Sequence, residues 1–279
     1  MDRRPIVGVA RSPLSLFLRY HPLWMRANRL KQKLASGKPA YGVWSAFGSP
    51  AVVEAIAQLE AYDWVLIDCE HGLGSADSCA PLLCSLAGGS ATALVRVSSA
   101  DPSIVSRVLD AGAEGVVIPK VRTAREVEEL VGACRYPPVG TRGIGPLRAS
   151  GYFVHARQYF EKANQEIAAI VQIETREAVE ELDDILAVDG LDAIFIGPAD
   201  LAAALGHFLD AEHEEVRTCV QEILDRAKKA GVPAGYYCSS GREARARVDQ
   251  GFLMVNPAHD VAAMLSGLRR EMRRVEEQE

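Results

Sequence analysis

Short apolar runs alternate with amphipathic segments along most of the chain. Eight runs are almost continuously apolar, as expected for parallel strands buried on both faces: Tyr41–Phe47, Trp64–Cys69, Ala93–Val97, Gly115–Val121, Ile167–Ile173, Ala193–Ile196, Pro233–Cys238 and Phe252–Val255. Amphipathic patterns predict helices at Ala51–Glu60, Asp77–Ala87, Ser103–Ala111, Ala124–Cys134, Arg176–Ala187, Glu212–Ala230, Arg242–Gln250 and Val261–Glu279. Eight strand–helix units predict an α/β protein, a (β/α)₈ TIM barrel. A doubly wound open sheet is the alternative, although no glycine-rich dinucleotide-binding motif supports it.

The first 36 residues depart from this alternation. Leu14–Leu34 mixes apolar with basic residues and predicts one or two helices. We therefore expect an N-terminal helical extension over residues 1–36, packed on the barrel or on a neighbouring subunit, and a barrel domain over residues 37–279. A flexible tail is the alternative for the extension.

The longest irregular stretch, Tyr136–Asn164, lies between the fourth helix and the fifth strand and is rich in proline and glycine. A loop of this length inside a compact domain is usually functional or disordered. Because it carries Arg142 and Arg148, we interpret it as a candidate lid over an anionic ligand.

The composition is ordinary for a globular protein of 279 residues, with 48% hydrophobic and 24% charged residues. The net charge of -6 and the lack of a long basic block argue against nucleic acid as a partner. No apolar run reaches the ~18 residues that a transmembrane helix needs, and basic residues interrupt any signal-peptide core near the N-terminus. We therefore expect a cytoplasmic protein with no membrane partner.

The cysteines do not indicate a disulfide framework or a zinc site, because no two of them form a CxxC pair. All six lie within apolar strand or helix patterns, which predicts buried free thiols: Cys69, Cys79, Cys84, Cys134, Cys219 and Cys238.

Candidate chemistry is sought at the carboxyl ends of the strands, where a TIM barrel has its active site. Few polar residues interrupt the apolar runs there: Asp68, Glu70 and His71 at strand two, Arg96 at strand three, Lys120 at strand four, Gln172 and Glu174 at strand five, and Asp200 after strand six. Glu174 and Asp200 come from adjacent strands and could hold one divalent cation with open positions for substrate. The alternative is a structural ion network of these acids with Arg96 and Lys120.

Three further residues have a functional and a structural interpretation. A lone histidine is more often structural than catalytic, but His71, at a strand end near Asp68, fits a general base held in one tautomer by a carboxylate. Arg96 would stabilise a developing enolate oxygen, or form a buried pair with Asp68 or Glu70. Lys120 could form a Schiff base with a 2-oxo acid, but a salt bridge is the simpler interpretation. We interpret the other five histidines as surface or packing residues, with His259 the least certain of them.

Several motifs occur together in one order over about Lys38 to Leu268: Gly42–Trp44, Asp63–His71, Val95–Val97, Leu109–Ala113, Arg135–Gly143, Gln172–Thr175 and Ile196–Leu201. In this order the chain resembles the HpcH/HpaI aldolase family. These are metal-dependent pyruvate aldolases that include 4-hydroxy-2-oxoheptanedioate and 2-dehydro-3-deoxyglucarate aldolases. The resemblance covers nearly the whole chain and implies a TIM-barrel carbon–carbon lyase.

The resemblance also implies roles for individual residues. Glu174 and Asp200 match the metal carboxylates, His71 and Asp68 the catalytic base and its partner, Arg96 the arginine beside the pyruvate oxygen, Gln172 and Trp44 residues lining the site, and Gly197, Pro198 and Ala199 the backbone near the pyruvate carboxylate. The implied cofactor is Mg²⁺, Mn²⁺ or Co²⁺. The implied reaction cleaves the C3–C4 bond of a 4-hydroxy-2-oxo acid, releasing an aldehyde and a pyruvate enolate that is then protonated, or runs in reverse.

The chain departs from the family pattern in three places: the N-terminal extension, Lys120, and the Gly72–Ser75 loop after His71. Since substrate loops set specificity, the aldehyde partner is left open. The resemblance further implies a homohexamer that exchanges the C-terminal helix Val261–Glu279 between subunits. Two alternatives are kept: a citrate lyase β or malyl-CoA lyase-like enzyme acting on acyl-CoA thioesters, in which Pro119–Lys120 would be at home, and a catalytically silent barrel homologue.

Overall fold

The structure is a computed structural model that describes residues 25–277. Eight parallel strands form a closed barrel in chain order, with β1 paired to both β2 and β8. This confirms the predicted TIM barrel and excludes the open sheet. The strands are β1 (Ala40–Ser45), β2 (Trp64–Asp68), β3 (Thr92–Arg96), β4 (Gly115–Ile118), β5 (Ala168–Ile173), β6 (Ala193–Ile196), β7 (Ala234–Tyr236) and β8 (Met254–His259).

Twelve helices are present in the described residues, and all eight predicted ones are among them, with ends shifted by a few residues. They are α1 (Arg29–Ala35), α2 (Pro50–Ala57), α3 (Cys79–Leu86), α4 (Pro102–Asp110), α5 (Ala124–Ala133), α6 (Ala156–Glu166), α7 (Arg176–Glu180), α8 (Leu182–Leu186), α9 (Pro198–Ala204), α10 (Glu214–Ala230), α11 (Gly241–Gln250) and α12 (Asp260–Glu276). The predicted helix Arg176–Ala187 is interrupted at Glu181 and forms both α7 and α8.

The barrel interior is filled by side chains, as in other TIM barrels. Trp44, Trp64 and Phe195 are its largest members, and the two aromatic pairs with Phe195 hold ring centroids 5.6 and 6.5 Å apart. Gly42 makes this packing possible, because a Cβ atom there would overlap the indole ring of Trp64.

Helix α1 closes the amino-terminal end of the barrel. Its residues Leu30 and Leu34 are buried and belong to the same apolar cluster as the interior strand residues. The helix begins at the N-cap Asn28, whose side-chain amide donates to the backbone carbonyls of Glu114 and Glu166. This part of the predicted extension therefore packs on the barrel. Its boundary at residue 36 stays a prediction, and the part of Leu14–Leu34 before residue 25 lies outside the described residues.

The predicted lid over an anion is wrong. Arg142 is buried, 1% exposed, and donates to Asp110 at the end of α4 over 2.6 Å. Arg148 donates to the carbonyl of Ala111, also beyond α4. The ends of helices that lead into the next strand lie at the amino-terminal end of a TIM barrel, opposite the active site. The stretch is also shorter than predicted, because α6 occupies residues 156–166.

Five of the six cysteines are buried free thiols, as predicted, but Cys84 is exposed on α3. The sequence pattern misplaced Cys84 because it lies on the solvent side of a short helix whose other positions are mostly apolar. Among the described residues, no helix combines the length and the apolar character needed to cross a membrane.

Candidate active site

The carboxyl ends of the strands surround a cavity of about 260 Å³. Every predicted site residue lines it: Trp44, Asp68, His71, Arg96, Gln172, Glu174, Gly197, Pro198, Ala199 and Asp200. These residues come from five of the eight strands or from the segments that directly follow them. Barrel closure thus brings together side chains that are up to 156 positions apart in the chain, counted from Trp44 to Asp200.

Arg96 is the centre of a buried ion network. Its guanidinium donates to both carboxylate oxygens of Asp68, at 2.9 and 2.7 Å, and pairs with Glu70 at 3.1 Å. Burial alone would lower the Arg96 pKa and raise the Asp68 pKa, but the hydrogen bonds and opposite charges raise the first and lower the second. The Arg96 guanidinium also lies 4.8 Å from the ring centre of Trp44. Arg96 is therefore held as a cation against the cavity wall.

Lys120 forms the salt bridge that the sequence favoured. Its ammonium lies 3.0 Å from Glu70, and this hydrogen bond raises the Lys120 pKa above its usual value. A Schiff base requires the neutral amine, so the contact disfavours that chemistry. The backbone of Lys120 is in the left-handed region, at φ 55°, and its N–H donates to Glu174 over 2.9 Å. Lys120 thus contacts Glu70 by its side chain and Glu174, which lines the cavity, by its backbone.

Glu174 and Asp200 are outside this ion network. Among residues 25–277, no lysine or arginine forms an ion pair with either carboxylate, whereas Asp68 and Glu70 both have cationic partners. Burial raises the pKa of Glu174 to about 7, opposed by the Lys120 N–H bond and reinforced by the negative charges of Asp200 and Glu70. The alternative of a structural ion network thus applies to one pair of acids and not to the other.

The surroundings of Glu174 leave room and polar atoms for a ligand. Gln172 donates to Glu174 over 2.9 Å, but its own carbonyl oxygen is buried without a hydrogen-bond partner. At position 197 a Cβ atom would overlap Glu174 Oε2, so glycine is required for this close approach. Gly197 is the N-cap of α9, and Asp200 lies in the first turn of that helix. First-turn N–H groups have no acceptor within the helix.

His71 lines the cavity with its side chain 56% exposed. Its expected partner differs from the structure: Asp68 accepts the backbone N–H groups of Glu70 and His71, and is not bonded to the imidazole. The carboxylate beside the ring is that of Glu70, with 3.7 Å between His71 Nε2 and Glu70 Oε1. Asp68 therefore positions the main chain that carries His71, while Glu70 is the acid nearest its ring.

Comparison with known proteins identifies the family, over a range that includes all of these site residues. A family model described as HpcH/HpaI aldolase/citrate lyase matches residues 40–266. The chain belongs to this family. It is 38% identical over 255 residues to a hydroxypyruvate/pyruvate aldolase of Paraburkholderia phytofirmans, covering 89% of this chain and 97% of that protein. It is 35% identical over 243 residues to a 5-keto-4-deoxy-D-glucarate aldolase of Escherichia coli, covering 87% and 94% of the two chains.

The solved structures agree with the sequence match. A HpcH/HpaI aldolase/citrate lyase family protein from Burkholderia cenocepacia superimposes with a TM-score of 0.85 at 35% identity, over 90% of this chain and all of that one. As a member of the HpcH/HpaI family related to pyruvate aldolases, this chain is a carbon–carbon lyase with the TIM-barrel fold.

Three residues that line this HpcH/HpaI site are not among the predicted ones: Ala46, Tyr237 and His259. Tyr237 follows β7 and lines the cavity with its ring edge-on to Trp44, at 5.3 Å between centroids. His259 ends β8 and lines the same cavity, and its buried Nδ1 lies 3.3 Å from Asp260 Oδ1 without meeting the geometry of a hydrogen bond. Strand alternation was the available signal for Tyr237, because Tyr236 beside it points into the outer layer against Arg247. The interpretation of His259 as a surface or packing residue is therefore wrong, because the side chain lines the cavity.

Proposed function

We propose that this protein is a divalent-metal-dependent aldolase that cleaves or forms 4-hydroxy-2-oxo acids, with pyruvate enolate as the common intermediate. One observation carries the proposal. Glu174 and Asp200 line the cavity and have no lysine or arginine ion-pair partner among the described residues, whereas Asp68 and Glu70 both have one. Glu174 is buried and Asp200 half-buried. Carboxylates in such surroundings are costly without a cation, and a divalent ion would offset that cost.

The residues present fit such an ion. Oxygen ligands from carboxylates suit Mg²⁺ or Mn²⁺, and Glu174 and Asp200 would hold it. Gly197 has no Cβ atom that would fill the space beside Glu174. Gln172 contributes a buried carbonyl oxygen without a hydrogen-bond partner. When bound, the ion would supply Lewis-acid stabilisation of negative charge on the 2-oxo group of the substrate.

Each of the other residues that line the cavity would then have a separate role in the reaction. Arg96, fixed by Asp68 and Glu70, would donate to the enolate oxygen as the C3–C4 bond breaks. His71 would remove the proton of the C4 hydroxyl, which starts the release of the aldehyde. The first-turn N–H groups of α9, from Ala199 and Asp200, would orient the substrate carboxylate. The indole of Trp44 and the phenol ring of Tyr237 would limit the water that reaches the enolate.

The proposed function is tested by pyruvate release from a panel of 4-hydroxy-2-oxo acids, with and without EDTA. We expect release with at least one member of the panel, loss of release in EDTA, and recovery when Mg²⁺, Mn²⁺ or Co²⁺ is added in excess. Full activity in EDTA-treated, metal-free protein would contradict the metal mechanism. Inactivity on the whole panel with every metal would favour the catalytically silent homologue.

An acyl-CoA lyase is the second candidate, and one observation favours it: Lys120, which would fit that group, lines a surface pocket that shares Glu174 and Asp200 with the active-site cavity. Both named relatives at 35% identity or more are aldolases, which supports the oxo-acid reaction instead. Adding malyl-CoA to the same assay distinguishes the two, because only the acyl-CoA enzyme would release a CoA thioester.

Lys120 is expected not to form a covalent adduct. Borohydride added with pyruvate should leave activity unchanged, because the pKa of Lys120 is raised and its ammonium is bound to Glu70. The measurement is residual activity together with the intact mass of the protein. Control samples receive borohydride alone. A mass increase by reduced pyruvate that maps to Lys120 would reverse the interpretation.

The C-terminal helix supports a homo-oligomer, as the family resemblance implies. Helix α12 buries only Asp260 in the single chain. Its large apolar residues are exposed at helical spacing, namely Met264, Leu265, Leu268, Met272 and Val275. An apolar stripe of this kind on one helix face needs a partner. We propose that a second copy of the chain covers it within a hexamer.

Leu268→Glu should reduce the size of the oligomer, because it places a charge in the middle of this stripe. The measurement is the molar mass by light scattering after size-exclusion chromatography. Ser266→Glu is the matched control, since it adds the same charge about 200° away around the helix. A monomeric wild-type protein, or an equal effect of both variants, would contradict the proposal.

A further inference from the structure

A second group of metal-ligating side chains lies outside the active-site cavity, on the connection between α9 and α10. His207 follows the end of α9, His213 is the N-cap of α10, and Glu215 is in the first turn of α10. We call these three residues the histidine cluster. One nitrogen or oxygen atom from each lies within 4.8 Å of the corresponding atoms of the other two. No other group of three such residues in the described part of the chain meets this distance.

The cluster is held together by direct contacts. His207 Nε2 lies 2.7 Å from Glu215 Oε2, and the backbone N–H of Glu215 donates to His213 Nδ1 over 3.3 Å. The two imidazole rings are stacked, with centroids 3.5 Å apart and planes inclined by 14°. The backbone N–H of His207 donates to Ala202, which anchors the connection on α9. Three metal-ligating side chains are thus already gathered before any ion binds.

One ligand of the cluster is also held in the form that binds metals. The His207 contact lowers the pKa of Glu215, which keeps its carboxylate ionised. A neutral imidazole and an ionised carboxylate are the forms that bind metals.

We propose that His207, His213 and Glu215 form a second metal site for a transition-metal ion such as Zn²⁺. Two imidazoles with one carboxylate are a ligand set that suits Zn²⁺, Ni²⁺ or Cu²⁺, whereas Mg²⁺ prefers oxygen ligands alone. The ion binds His207 through Nε2, Glu215 through its carboxylate, and His213 through Nε2 after the stacked rings turn apart. Water completes the coordination, because the site faces an open surface groove.

An ion at the histidine cluster would connect the end of α9 to the beginning of α10. Asp200 lies in the first turn of the same helix α9. Ala202, whose carbonyl accepts the His207 N–H, lies between Asp200 and His207 in the chain. Binding to the folded chain alone raises its stability, by an amount that grows with ion concentration. The site would therefore stabilise the segment that carries one of the proposed catalytic-metal ligands without itself reaching the cavity.

Equilibrium dialysis of Zn²⁺ against the full chain tests this site, with Mg²⁺ in large excess to occupy the oxygen site. The variant His207→Phe/His213→Asn removes both imidazoles but keeps an aromatic ring and an N-cap residue. We expect wild type to bind one more Zn²⁺ per chain than this variant. Added Zn²⁺ should raise the melting temperature of the wild type but not that of the double variant.

Two single variants distinguish direct binding of Zn²⁺ by Glu215 from a general effect of negative charge near the site. Glu215→Gln should weaken Zn²⁺ binding more than about tenfold, since even outer-shell partners of a metal contribute about 10- to 100-fold to affinity. Glu214→Gln, the adjacent residue with the same loss of charge, should not. Equal Zn²⁺ binding by wild type and the double variant overturns the proposal, as does equal weakening by both glutamate variants. Mg²⁺-dependent aldolase activity in all variants is measured separately, so failure of one proposal does not affect the other.

Discussion

Replacing either proposed metal ligand, by Glu174→Gln or Asp200→Asn, is expected to abolish metal binding and lower kcat/KM by about 10³-fold or more. Lewis-acid stabilisation is worth several kcal/mol of transition-state charge, and about 4 kcal/mol corresponds to about 10³-fold in rate. The measurements are metal affinity by calorimetry and pyruvate release. Wild-type metal affinity in either variant would remove that residue from the site.

The Glu174→Gln variant should fold normally, because Gln172 can reorient. Its unpartnered carbonyl oxygen can accept the new amide N–H, while the Lys120 N–H still finds an oxygen at position 174. The variant also removes a carboxylate that is costly to ionise. At pH 8 without metal, we therefore expect the free energy of unfolding of the variant to equal or exceed that of wild type.

The pH dependence of this comparison has a definite sign. The Glu174 pKa is raised in the folded protein to about 7, so between its unfolded value and 7 the folded state binds more protons than the unfolded state. The metal-free wild type should therefore lose stability as the pH rises through this window. Protons compete with the metal for the same carboxylate, so metal affinity should fall as the pH drops below about 7. The Glu174→Gln variant should not show this pH-dependent loss of stability.

Arg96→Met is expected to reduce the free energy of unfolding at pH 7 by about 3–5 kcal/mol, as well as to impair catalysis. The substitution leaves Asp68 and Glu70 with fewer partners in a buried site, and a buried charge that loses its partner carries a penalty of this size. The measurement is urea-induced unfolding, in which the midpoint should fall at constant slope. An unchanged midpoint would contradict the buried network.

Two controls identify the cause. In the double variant Asp68→Asn/Arg96→Met one carboxylate is also neutralised, so it should be less destabilised than the sum of the two single variants. Arg96→Lys keeps the charge but cannot form the paired hydrogen bonds with Asp68, and should give an intermediate loss. Since Arg96 lowers the Asp68 pKa, the stabilisation from this pair is present above the unfolded pKa of Asp68. It should disappear as the pH falls through the lower folded value.

Polar residues at the carboxyl ends of the apolar runs predicted most of the residues that line the cavity. Such residues are conspicuous because buried parallel strands are otherwise apolar. Arg96 in Ala93–Val97 and Gln172 in Ile167–Ile173 were found this way and do line the cavity. Tyr237 and His259 were missed for the converse reason. An aromatic residue in an apolar run gives no contrast, and β8 extends four residues beyond its predicted end at Val255.

The partners of the acids could not be assigned from the sequence. Asp68, Glu70, Glu174 and Asp200 are all strand-end carboxylates, and nothing local separates them. In the barrel, Arg96 on β3 lies beside Asp68 on β2, in register. Glu174 directly follows β5, and Asp200 is in α9, which follows the neighbouring strand β6. Among the described residues, no lysine or arginine forms an ion pair with either of them. Strand register therefore decides that Asp68 and Glu70 are neutralised while Glu174 and Asp200 are available to a metal.

By itself, the sequence determined the eight-fold alternation, the barrel, the family and the set of polar residues at the barrel mouth. These follow from periodicity and residue type, which are local properties. The tertiary structure alone decided which acid pairs with which base, that Glu70 and not Asp68 lies beside the His71 ring, and that Arg142 and Arg148 lie at the far end of the barrel. Those outcomes depend on distances between residues remote in the chain, and only closure of the barrel sets these distances.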